Sequence, residues 1–255
     1  MPLNALIFDV DGTLAETEEL HRRAFNETFA AFDVNHDWPD QERSWQWDEE
    51  TYARLLKTTG GKERITQYLS EDAVIDPAPW KSRITELHRA KTTRFGELLG
   101  NGELELRPGI AELIEHARRL RLRVAVATTT SRPNVEALSR ACFAQDADEV
   151  FDVIAAGDEV AAKKPAPDVY QLALKRLELA PTDCLAIEDS LNGLNAAQSA
   201  GLFCVVSPSA YTRTEDHSAA DLLLPEFERV DLDDVQKMMR KKHSRFSGKV
   251  TAKHT

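Results

Sequence analysis

Apolar residues in this chain fall into two patterns: short unbroken runs, and stripes at helical spacing between them. Ala5-Leu6-Ile7-Phe8 is β-branched and aromatic enough to predict a buried strand. Runs at 124–127, 185–187 and 203–206 have the same character; 151–155 predicts a short strand and 222–224 an edge strand. Helical spacing marks 14–32, where Leu20, Ala24, Thr28 and Phe32 share a stripe with Phe25 and Phe29 alongside. Further helices are predicted from Arg107-Pro108-Gly109 through Leu120, from Pro133 to about Ala144, over 168–177, and over 191–200 with Gly201 as its C-terminal stop. Between Asp33 and about Leu106 strand signals vanish. Helical patches at 50–57, 62–69 and 80–99 are broken there by Gly60-Gly61 and by Pro77 and Pro79.

Alternating strands and helices predict an α/β fold, a parallel sheet with helices on both faces. Residues 1–14 and 107–235 would build it, with a small all-α domain inserted over 15–106. Beyond residue 236 the chain turns basic and poor in apolar residues (Arg240-Lys241-Lys242-His243), which predicts a disordered tail.

Composition narrows the function. A hydrophobic fraction of 42% and a charged fraction of 29% suit an ordinary globular protein. The net charge of −11 argues against sequence-independent nucleic-acid binding, yet leaves room for a small anionic substrate held by local cations. No apolar run reaches the ~18 residues of a membrane span. The first strand begins at once, without room for a signal peptide. Cys142, Cys184 and Cys204 form no C-x-x-C pair and read as buried apolar residues in a reducing compartment. A cytoplasmic monomer is the expectation.

Three strand ends carry reactive side chains: Asp9 and Asp11, Thr128, and Glu188-Asp189. In a parallel sheet these ends share one rim, where ligands bind. Buried carboxylates cost several kcal/mol each unless a cation compensates. The set suits phosphoryl transfer: Asp9 attacks phosphorus, and Asp11 protonates the leaving oxygen and then activates water. Lys164 supplies a fixed charge from a proline-braced loop, while Thr128 and the Thr129 N–H bind phosphoryl oxygens. Asp9, Asp189 and the Asp11 carbonyl are hard oxygen ligands suited to Mg²⁺. Each residue also has a plainer reading: an acidic Asp-Gly turn at the end of the first strand, a solvated Lys163-Lys164 pair, and helix caps at Thr128–Ser131 and Glu188–Ser190.

With these motifs in order, the chain resembles the haloacid-dehalogenase-like phosphohydrolases from residue 3 to about 225. The motifs are Asp9-Val-Asp11-Gly-Thr-Leu, Thr128, Lys164-Pro165 and Glu188-Asp189-Ser190. The resemblance implies a Rossmann-like core with the inserted domain as a cap over the substrate, and the acid at Asp11 favours phosphatases or phosphomutases over dehalogenases. Trp47-Asp48, Tyr52, Leu55-Leu56, the run Thr59–Ile65, the run Glu16–His21 and Ser190–Gly193 are similar to the CbbY branch, which is related to β-phosphoglucomutase. Those proteins are phosphatases of xylulose 1,5-bisphosphate, an inhibitor of Rubisco. The resemblance thus implies a phosphosugar substrate losing its C1 phosphate to Asp9. A second phosphate would need cap cations, for which Lys62, Arg64, Lys91 and Arg94 are candidates beside Gly61. Glu18 and His21 would bond sugar hydroxyls. Two other functions fit the same core: a β-phosphoglucomutase-like isomerase and a non-catalytic phosphate-sensing partner.

Overall fold

The computed structural model describes residues 3–32, 45–102 and 104–251. Its centre is a six-stranded sheet, all parallel, in the order β3-β2-β1-β4-β5-β6. The strands are β1 (Ala5–Phe8), β2 (Arg123–Ala127), β3 (Val153–Ala155), β4 (Cys184–Glu188), β5 (Phe203–Val206) and β6 (Leu222–Leu223). The chain winds outward from β1 in both directions, so β1 and β4 flank the point where strand order reverses, the crevice position in such sheets.

Both faces of the sheet are covered. Leu6, Phe8, Val124, Val126, Leu185 and Ile187 pack against α5 (Ile110–Arg119), α6 (Arg132–Phe143) and α10 (Leu232–Thr251). Ala5, Ile7, Ala125, Ala127 and Ala186 pack on the other side against α8 (Asp168–Leu177) and α9 (Leu191–Ser199). Alternate residues of each strand thus enter opposite cores, as the unbroken apolar runs require. The inserted domain comprises α1 (Glu18–Ala31), α2 (Glu49–Leu55), α3 (Gly61–Glu71) and α4 (Lys81–Leu99). It has its own aromatic core of Phe25, Phe29, Trp45, Trp47, Tyr52 and Tyr68.

Several predicted boundaries move. Helix α1 starts at Glu18, not at residue 14. Residues 11–15 fold back instead, with Gly12 N–H on the Ala15 carbonyl and Leu14 N–H on the Val10 carbonyl. Strand β3 starts at Val153 because Phe151 ends a short helix, α7 (Ala147–Val150). That helix carries an Asp146/Glu149 capping box, a signal readable in the sequence and missed. Of the tail expected over 236–255, residues 252–255 lie outside the described residues, and the part before them is helical. Leu232, Val235 and Met239 bury one stripe of α10, which runs on to Thr251, and Lys242 pairs with Asp221 at 2.5 Å. Among the described residues no helix is long and apolar enough to cross a membrane.

Candidate active site

The strand ends converge as the topology demands. Asp9 follows β1 and its N–H donates to the Ile187 carbonyl of β4 at 3.0 Å. Lys164, buried, reaches it from the loop before α8: Nζ lies 2.5 Å from Asp9 Oδ1 and 2.6 Å from Glu188 Oε1. Tyr170 of α8 donates to the same Glu188 oxygen at 2.6 Å. Glu188 stands in the sequence only as the acidic neighbour of Asp189, with no role of its own; here it is fully buried and fixes the lysine.

Asp9, Glu188 and Asp189 bring one carboxylate oxygen each within 4.8 Å of one another. Asp189 is held by Thr13 and by Thr212, whose hydroxyl also donates to the Asp189 carbonyl at 2.7 Å. Gly12 (φ +81°) packs so close that a Cβ there would stand 2.3 Å from Asp189 Oδ2. Burial pushes the Asp9 carboxyl up to about 7, with Lys164 opposing and Glu188 and Asp11 adding to the rise. Burial and the charges of Asp9 and Glu188 push Asp189 well up. Lys164 is held above its ordinary range: burial disfavours its charge, but Asp9 and Glu188 outweigh burial. Three buried carboxylates against one ammonium leave excess negative charge, and every donor is a hard oxygen. That donor set fits a divalent cation of the Mg²⁺ type. The Asp11 carboxylate stands outside this cluster.

Asp11 instead belongs to a line of charges running into the cap. Thr17 Oγ1 donates to Asp11 Oδ1 at 2.6 Å, and His21 Nε2 lies 2.9 Å from the same oxygen. Lys91 Nζ is 2.6 Å from His21 Nδ1. These partners require a neutral imidazole that donates to Asp11 and accepts from the Lys91 ammonium. The ring stacks on Phe95 at 3.8 Å, and Lys91 lies over Phe25 and Phe95. Burial works against the Asp11 charge, but His21, Thr17 and Lys91 hold its pKa below the usual carboxylate range. Burial and the neighbouring Lys91 lower His21, and burial lowers Lys91 to about 7.

A cavity of about 860 Å³ lies between this floor and the cap. Asp9, Asp11, Thr128, Thr129, Lys164 and Asp189 border it below; Glu18, His21, Gly61, Lys62, Arg64 and Lys91 border it from the cap. One expectation needs correction. Arg94 does not line the cavity: it pairs with Glu27 at 2.5 Å and Glu97 at 2.7 Å on the outer side of α4. His21 and Lys91 border the cavity and also form the line that ends at Asp11. Glu18 accepts from Tyr52 at 2.6 Å, and Tyr52 accepts in turn from Arg64 at 2.9 Å. Arg64 Nε is buried without a partner, leaving a donor to satisfy. Gly61 packs on an imidazole that the sequence did not flag: a Cβ there would stand 2.5 Å from His88 Nε2. Burial, then the nearby lysines, lower His88 to about 3, so it borders the cavity uncharged. Of the plainer readings, one holds in part, since Ser190 Oγ does cap α9 by accepting from Gly193 N–H at 3.1 Å.

The comparisons with known proteins agree with this geometry. A profile of the haloacid dehalogenase-like hydrolases matches residues 3–201. The chain is 60% identical over 225 residues to the protein CbbY of Cereibacter sphaeroides, covering 88% of this chain and 93% of that one. It superposes on a crystal structure of a CbbY mutant from Rhodobacter sphaeroides in complex with xylulose 1,5-bisphosphate, with a TM-score of 0.80 and 57% identity over 89% of this chain and 96% of that one. A β-phosphoglucomutase from Clostridium difficile shares the fold at a TM-score of 0.75 and 20% identity, over 96% of this chain and 100% of that one. The chain belongs to the haloacid dehalogenase-like hydrolases, and it is a phosphatase of that family.

Proposed function

We propose that this chain is a Mg²⁺-dependent sugar-bisphosphate phosphatase that converts xylulose 1,5-bisphosphate to xylulose 5-phosphate and phosphate. The observation that carries the reading is Asp9, held against Lys164 at 2.5 Å on the floor of a cavity whose cap wall presents Lys62 and Arg64. The ligand bound to the CbbY relative supports the choice of sugar. Asp9, Asp189 and the Asp11 carbonyl would hold Mg²⁺, which neutralises phosphoryl charge when bound.

The chain's own groups then carry the reaction. A carboxylate oxygen of Asp9 attacks phosphorus, and the bond to the C1 oxygen breaks. Lys164 offsets charge on the phosphoryl oxygens, with Thr128 and the Thr129 N–H as hydrogen-bond donors. Asp11 delivers a proton to the departing alkoxide, and xylulose 5-phosphate leaves. Asp11, now ionised, takes a proton from water, which attacks the aspartyl-phosphate and frees Asp9 and phosphate. Asp11 is ionised at rest, so the first proton it delivers reaches it from Lys91 through the His21 imidazole, and in later turnovers the attacking water returns it. Arg64 and Lys62 suit the second phosphate. Glu18, with its second oxygen, suits a sugar hydroxyl.

The test is phosphate release across a panel of sugar mono- and bisphosphates, with Mg²⁺ and with EDTA, for wild type and Asp9→Asn. Xylulose 1,5-bisphosphate is expected to be turned over fastest, only with Mg²⁺, and the variant is expected to bind it without turnover. Glucose 1-phosphate isomerised without release of phosphate would make the chain a mutase instead. Turnover by the variant within about tenfold of wild type would remove Asp9 as nucleophile.

A further inference from the structure

The cap meets the core at a segment the reaction above does not use. Thr59, in the turn between α2 and α3, donates from Oγ1 to the main-chain carbonyl of Lys164. Among the described residues no backbone N–H donates to that carbonyl. Two further contacts seat the same turn. Lys163 Nζ pairs with Glu63 Oε1 at 2.7 Å, and Asn192 Nδ2 at the start of α9 donates to the Lys57 carbonyl at 3.1 Å. Gly60 (φ +94°) lets the strands of contact close up: a Cβ there would stand 2.8 Å from Lys163 Nζ. The core residues touched are the lysine that grips Asp9, its neighbour, and the helix that follows Asp189.

We infer that Thr59 is a positioning residue for the phosphatase reaction: its hydroxyl ties the seated cap to the backbone of Lys164 and so couples cap closure to placement of the ammonium beside Asp9. The side chain of Lys164 is oriented by Asp9 and Glu188. One of those partners changes as Asp9 becomes esterified, since Asp9 then loses its charge, and Glu188 alone remains on the ammonium. A backbone anchor does not change, and it holds Lys164 while the phosphoryl group is on Asp9. With the cap lifted, the carbonyl turns to water and that anchor is gone. Charge arrives at phosphorus only when the lysine is fixed, so the bond acts on the rate and not on affinity.

The inference rests on the phosphatase reading, and the experiment separates the two. Steady-state phosphate release from xylulose 1,5-bisphosphate with Mg²⁺ is measured for wild type, Thr59→Val and Thr59→Ser. Thr59→Val is expected to lower kcat about tenfold, or about 1.4 kcal/mol, with KM within about twofold, and Thr59→Ser to recover most of the rate because it keeps the hydroxyl. Glu63→Lys is expected to lower kcat, and adding Lys163→Glu to restore part of it. Unchanged kcat in Thr59→Val, a change confined to KM, equal loss in the serine variant, or no recovery in the charge-reversed pair would each overturn the role of Thr59. No release by wild type from this substrate, but release from another phosphosugar, overturns the substrate reading alone, and the same variants are then compared on that phosphosugar.

Discussion

Replacing Lys164 with methionine keeps a buried apolar stem and removes its charge. In wild type the ammonium is 2.5 Å from Asp9 and 2.6 Å from Glu188, with only 3% of the residue exposed. The variant leaves Asp9, Glu188 and Asp189 with oxygens within 4.8 Å of one another and without the group that bridges two of them. Two like charges about 5 Å apart repel by about 3 kcal/mol at an effective dielectric constant of ~20. Removing one partner of a buried ion pair costs about 3–5 kcal/mol. For a chain of this size that is a fall in Tm of about 10 °C. The pH dependence has a definite sign. The Asp9 carboxyl already stands near 7 in the folded protein against 3.8 unfolded. A raised carboxyl contributes stability below its unfolded pKa and loses it as pH rises through the folded one. Without Lys164 the Asp9 carboxyl rises further, so the deficit is larger at pH 8 than at pH 5.5. Thermal unfolding in EDTA at both pH values reads this directly. A variant Tm within about 3 °C of wild type at pH 8, or a deficit that grows toward acid, would refute the charge accounting.

Two other variants probe the surroundings. Lys91 is depressed from 10.5 to about 7 by burial, so its contribution to stability is present above the unfolded value and lost as pH falls through 7. Lys91→Met is therefore expected to be more stable than wild type at pH 7, to keep only part of that advantage at pH 9, and to turn over more slowly because His21 loses its Nδ1 partner; urea unfolding midpoints separated by the same amount at the two pH values would count against it. Gly193→Ala would bring a Cβ within 1.8 Å of Glu188 Oε2 and displace the carboxylate that holds Lys164. Overpacking of this kind costs about 1–3 kcal/mol, and an unchanged Tm in differential scanning calorimetry would show that Glu188 has room to move.

What the sequence disclosed follows from how local its signals are. The strands are short apolar runs, and Asp9, Thr128 and Asp189 each follow one, so a parallel sheet and its rim chemistry could be argued from short stretches, while the order of the strands could not. The partners of those groups could not. Glu188 reads as half of an acidic pair, and its burial against Lys164 and Tyr170 is visible only when the loop before α8 folds over β4. Lys91 and Arg94 look alike three residues apart, yet helical phase separates them. Lys91 shares a face with Leu87 and Phe95, which are buried, while Arg94 turns outward to Glu27. The same phase argument applied to the sequence would have placed Lys91 inside the fold. In the sequence His21 suits a sugar hydroxyl, and nothing near it reveals Asp11 on one side and Lys91 on the other.

The place of β1 in the sheet has a consequence for how the chain is made. Ala5 pairs with Arg123 on one side and Cys184 on the other. The segment that bears the nucleophile therefore precedes both of its partner strands and is completed only after the whole cap and most of the core have emerged. Until β2 emerges the apolar strand waits with both edges unpaired, and until β4 with one, a state that invites association between nascent chains. The cap's entry and exit, meanwhile, lie side by side through the Ala15–Leu106 bridge and the Arg107 N–H on the Leu14 carbonyl. An insertion whose ends meet this way can gather its own aromatic core without waiting for the sheet, and can be exchanged in evolution with little disturbance to the strands beneath it.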